Sequence, residues 1–155
     1  MKVARVGIIA TAAFAVATMA YAQKPDFSGT WTLDAAASGI EGGGGGGRGG
    51  RGGGLGQGAT VKQTADTLTV ERTFGENKIT TTYKLDGTES KNSMMGRGGE
   101  QMEAVSTAKW DGAKLTITTK VGANENTQVW SLAGDVLTVE TTNARGTQKR
   151  VYKKS

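Results

Sequence analysis

Three copies of Leu-Thr-Val/Ile recur along this chain, and each leucine is followed fifteen residues later by a large aromatic. The copies are Leu68-Thr69-Val70 with Tyr83, Leu115-Thr116-Ile117 with Trp130, and Leu137-Thr138-Val139 with Tyr152. Alternation of apolar and polar residues is the period of a strand buried on one face. A constant distance from the start of one strand to an aromatic on the next implies a repeated hairpin. A chain of consecutive hairpins protects its edge strands by curling into a barrel. Parity then assigns the inner face to Leu68, Val70, Ile79, Tyr83, Leu85, Leu115, Ile117, Leu137 and Val139. Their neighbours Thr69, Glu71, Thr80, Lys84, Thr116, Lys120, Thr138 and Glu140 face outward. An exterior of threonine and charge excludes an outer-membrane barrel, whose lipid face needs an apolar band.

The same pattern extends over most of the chain. Strands are predicted over 27–34, 59–63, 67–74, 77–85, 88–92, 101–110, 114–121, 127–133, 136–142 and 147–153. Asp86-Gly87, Asp111-Gly112 and Gly134-Asp135 supply turn signals between them. The fold class is therefore all-β: an antiparallel up-and-down meander of about 8–10 strands closing into a small barrel. Asp34 to Ser38 permits helix but is too short to hold one alone. The single proline, Pro25, precedes the first strand and interrupts none.

Between the first two strands, residues 42–58 contain 13 glycines in 17 positions, with Arg48 and Arg51 as the only charges. Glycine loses too much entropy on ordering to favour helix or strand here, so a disordered, flexible loop is expected. A second patch, Gly96-Arg97-Gly98-Gly99, follows the weakest predicted strand. If that strand exists, both patches leave the barrel at one end and form a cationic rim over one opening. Arginines among glycines also occur in RNA-binding segments, but those repeat with interleaved aromatics, which are absent here. No nucleic-acid partner is expected.

The first 22 residues read as an address. Lys2 and Arg5 precede an apolar run, and Ala20-Tyr21-Ala22 fits a small-x-small cleavage site. The run is too short for a bilayer span. Removal of 1–22 as a signal peptide leaves 23–155 as a single β-barrel domain, exported to a periplasm or beyond and not membrane-spanning. Net charge then falls from +5 to +3, a mild excess with no specific partner implied. Cysteine is absent, so the exported domain must rest on strand ladders and apolar burial. Histidine is absent too, which removes the usual general base, the Ser-His-Asp triad and the commonest zinc ligand. No carboxylate pair or oxyanion motif replaces them. No catalytic residue, metal or cofactor is assigned.

Some segments resemble a known group. Phe27-Ser28-Gly29-Thr30-Trp31-Thr32-Leu33 is similar to the opening Phe-x-Gly-Thr-Trp-x-Leu of intracellular fatty-acid-binding proteins, and Gly29-Thr30-Trp31 to the Gly-x-Trp that opens lipocalins. Lys109-Trp110-Asp111-Gly112 and Arg150-Val151-Tyr152-Lys153-Lys154 resemble segments in the second half of fatty-acid-binding proteins. The opening also resembles that of secreted bacterial lipocalin-like proteins. The resemblance implies a calycin-type barrel in which Trp31 plugs one end. It makes Arg150 a candidate either to pack on that tryptophan or to reach inside. It further implies that Arg150 and Tyr152 hold a ligand carboxylate. Their i, i+2 spacing does put both side chains on one strand face, and guanidinium with phenol suits a carboxylate. Tyr83, an inner-face aromatic, joins them as a candidate ligand contact.

The expected function is that of an exported lipocalin-like barrel binding a small apolar or amphipathic molecule. The alternative is a structural or interaction module of the cell envelope with a filled interior, meeting an envelope or protein partner through its glycine–arginine loops. Cavity volume separates the two, because ligand pockets begin at about 300 Å³.

Overall fold

A computed structural model describes residues 23–40, 55–74, 76–95 and 99–155. The predicted signal peptide, residues 42–54 of the glycine-rich segment, and Arg97 lie outside the described residues. Ten strands follow in order: β1 (Gly29–Asp34), β2 (Gly58–Gln63), β3 (Thr67–Phe74), β4 (Asn77–Lys84), β5 (Ser90–Met95), β6 (Gln101–Asp111), β7 (Lys114–Val121), β8 (Asn124–Ala133), β9 (Val136–Asn143) and β10 (Gly146–Lys154). They form one sheet in the order β4-β3-β2-β1-β10-β9-β8-β7-β6-β5, with every hydrogen-bonded pair antiparallel. The all-β meander is thus present at its full count, and the barrel is nearly closed.

The fifteen-residue spacing has a direct geometrical origin. Leu68 is the cross-strand partner of Tyr83, Leu115 of Trp130 and Leu137 of Tyr152. Hairpins that turn within two residues, such as Val121↔Asn124 and Asn143↔Gly146, place a leucine opposite the residue fifteen positions on. Each such pair buries a leucine against a ring, and all six side chains lie in the core. Burial of each contributes about 1.5–3 kcal/mol relative to exposure.

The outer face carries threonine in register. Thr107, Thr118, Thr127, Thr142 and Thr147 are successive partners across β6 to β10. Thr142 and Thr147 approach to 2.8 Å between hydroxyls. Threonine pairs of this kind suit a pleated, half-wet surface and stabilise neighbouring strands.

One junction differs from the rest. β4 and β5 share no ladder. Instead the Asn92 side chain accepts from the Thr82 N–H at 2.9 Å and donates to the Thr82 carbonyl at 3.0 Å. Ser90 Oγ accepts from the Lys84 N–H at 2.7 Å. Side chains therefore replace the missing backbone bonds and blunt two strand edges that would otherwise stand open. β5 also begins two residues later than the sequence pattern suggests. Asp86 captures both the N–H and the hydroxyl of Thr88, holding Thr88 in the turn.

Because strands alternate in direction, odd strands run from what we call the Phe27 end to the Arg72 end. The connections after β1 and β5 both leave at the Arg72 end. This is the geometry expected if the weakest predicted strand is real, although the arginines of both patches lie outside the described residues. Four residues of the glycine-rich segment are placed. Leu55 is fully buried in the core, and Gly58 opens β2. A Cβ on Gly58 would lie 2.7 Å from the Trp31 carbonyl oxygen, so only glycine fits there.

Candidate functional site: the polar half of the barrel

Extending each repeat by two residues along the inner face reveals a second layer. Val70 faces Thr81, Ile117 faces Gln128, and Val139 faces Arg150. One step further lie Arg72, Thr119 with Asn126, and Thr141. Every hairpin therefore presents leucine and a ring toward the Phe27 end, and polar side chains toward the Arg72 end. The interior is divided in two.

The Phe27 half is closed and apolar. Phe27 stacks on Trp110 with ring centroids 5.9 Å apart and meets Trp130 edge-on at 5.6 Å. Trp31 is buried, and its indole N–H donates to the Phe27 carbonyl at 2.9 Å. The cation over Trp31 is not Arg150. Lys154 Nζ lies 5.7 Å from the Trp31 ring centroid, and Lys154 is the register partner of Trp31. Arg150 lies four residues away along β10, roughly 13 Å at strand rise. Gly29 explains the first position of the motif. It has φ +145°, and a Cβ there would lie 2.6 Å from the Lys154 chain that crosses it.

Arg150 takes the other course. Its guanidinium bonds the Tyr152 hydroxyl, which itself donates to the Gly56 carbonyl at 3.2 Å. Burial raises the Tyr152 phenol above the ordinary 10.0, opposed by the charge and hydrogen bond of Arg150, a backbone hydrogen bond at Leu55 and the charge of Arg72. Tyr83 is likewise raised by burial, opposed by the charge of Arg72. The structure thus brings Arg150 to Tyr152, while of these three sequence-predicted residues only Tyr83 lines the cavity.

Between the layers lies a cavity of about 30 Å³, bounded by Arg72, Asn92, Asn126, Gln128, Trp130 and Leu55 among others. That volume holds a few waters at most. Among the described residues, no carboxylate lines it. Ser106 and Thr119 satisfy each other at 2.8 Å. Trp130 donates its indole N–H to Gln128 Oε1 at 3.0 Å. Among the described residues, no three His, Cys, Asp or Glu side chains gather in a group that could hold a metal.

Four of these residues were not singled out from sequence. Arg72, Gln128 and Asn126 were legible as inner-face positions two to four residues beyond the repeated leucines or before the rings. Leu55 carried a weaker signal, as the one apolar residue in the glycine run.

No family model and no curated protein matches the sequence. Solved structures do. Secretory abundant heat soluble protein 4 from Ramazzottius varieornatus superposes with TM-score 0.55 at 21% identity, covering 83% of this chain and 94% of that one. The Echinococcus granulosus fatty-acid-binding protein 1 gives TM-score 0.59 at 13% identity over 83% and 96%. Human cRBP IV gives 0.54 at 19% over 84% and 99%. The chain shares the antiparallel β-barrel fold of these proteins. At these identities the likeness establishes the architecture, and the chemistry of the interior must be argued from this chain's own residues.

Proposed function

We propose that this calycin-type barrel is an exported, non-enzymatic binding protein for a small apolar or amphipathic molecule, with the polar head held in the Arg72 half. The carrying observation is the donor-rich interior: Arg72, Gln128 and Tyr83 line a cavity with no carboxylate among its described lining residues, and Arg150 bonds Tyr152 on the same inner face. Arg72 and Arg150 stand half-buried at inner-face positions. A barrel needing only stability gains more from apolar side chains at those positions. The fatty-acid-binding protein among the structural neighbours supports the same reading.

The cavity is about a tenth of the ~300 Å³ at which ligand pockets begin. Binding therefore requires displacement of Leu55, which seals the Arg72 half beside the Gly56–Tyr152 bond. Titration of delipidated protein with medium- and long-chain fatty acids and with apolar fluorophores tests this. Saturable binding is expected, and Leu55→Ala is expected to tighten it by removing the plug. The small cavity itself favours a second reading, a filled barrel acting as an envelope module. Absence of saturable binding to either protein selects that reading.

A further inference from the structure

We infer that Asn126 makes the chamber selective for a head group that donates a hydrogen bond as well as accepting one, such as the head of a hydroxy acid. The inference rests on the proposed binding function and adds the class of ligand. Its starting point is the Trp130 indole, which is a donor only. Because Trp130 bonds Gln128 Oε1, the Gln128 amide must turn its NH2 group away from that bond. Arg72 also offers donors alone. Ser106 and Thr119 share one hydrogen bond, which leaves one hydroxyl proton between them as a further donor. Gln128 and Arg72 therefore favour an acceptor, as a carboxylate is.

Asn126 has the opposite character. Its Oδ1 is buried and has no hydrogen-bond partner among the described residues. It lines the same cavity as Arg72 and Gln128, and it is the register partner of Thr119 on β7. A plain carboxylate satisfies the donors but sets lone pairs against this oxygen. A hydroxyl near the carboxylate donates to Asn126 Oδ1 and removes the conflict. A buried acceptor left unpaired costs more than a paired one returns, which makes such a site discriminating.

The test compares an unsubstituted fatty acid with its 3-hydroxy analogue of equal chain length, titrated calorimetrically into the delipidated full-length protein. The hydroxy acid is expected to bind about tenfold tighter. Asn126→Leu should abolish that preference, weakening the hydroxy acid and relieving the plain acid of the facing lone pairs, with Asn126→Ala as the substitute if the leucine variant does not fold. Equal affinities for the unaltered protein, or a preference that survives both substitutions, overturn the inference and leave the binding function standing. Failure of both acids to bind overturns the inference and the binding function together.

Discussion

The two halves of the barrel interior are built from the same three hairpins and serve opposite ends. In the Phe27 half, each hairpin contributes a leucine facing a ring, and the rings of Phe27, Trp110 and Trp130 pack against one another. In the Arg72 half, the same strands contribute Thr81, Gln128 and Arg150 at equivalent positions. A strand's period of two lets one segment do both, because residues two apart share a face while their chemistry is free to change. Stability should reside in the first half and recognition in the second.

The largest expected effect is therefore in the apolar half. Trp130→Ala removes a ring packed on Phe27 and leaves Gln128 without its donor; a loss of about 3–5 kcal/mol is expected in urea unfolding. A loss below 1 kcal/mol would break the comparison. Next comes the seam. Asn92→Ala unbinds both backbone groups of Thr82, and a cost of about 1–3 kcal/mol is expected, with amide exchange accelerated in β4 before the other strands. Uniform acceleration would mean that the seam is no weaker than the ladders.

Tyr152→Phe should cost about 1 kcal/mol at neutral pH through the lost bond to Gly56. It should also change the alkaline limb. The phenol's folded pKa lies above its unfolded value of 10.0, so its contribution is whole below pH 10 and is lost as pH rises through the folded pKa. Urea midpoints measured upward from pH 9 should fall less steeply in the variant. The smallest effect concerns the exterior. Lys153 holds the Asp34 carboxyl below the ordinary 3.8 through a 2.6 Å ion pair. Its stabilisation is present above pH 3.8 and is lost as pH falls through the lowered folded value. Lys153→Met should therefore flatten the acid limb slightly and leave binding untouched.

Much of this division was legible in the repeats. The spacing of Leu68, Leu115 and Leu137 from their rings encodes strand, turn and register together, which is why the architecture could be read before any site. The same repeat marks Thr81, Gln128 and Arg150 as equivalent positions, so Arg150 is an interior residue by rule, as is Arg72 four residues beyond Leu68. Arg150 against Trp31 was misleading because motif resemblance carries no register; the β1–β10 ladder brings Lys154 there instead. Leu55 escaped notice because burial of a residue beside a glycine run depends on tertiary contacts. The Asn92 bridge was likewise invisible, since nothing local distinguishes a seam from a ladder.

The most direct measurement pairs affinity with stability in one variant. Arg150→Met keeps the length and apolar stem of the side chain and removes its charge. If the Arg72 half is a binding chamber, fatty-acid affinity measured calorimetrically should fall at least tenfold, while the urea midpoint stays the same or rises. A lowered midpoint with affinity unchanged, or no measurable affinity in the parent protein, would contradict the account.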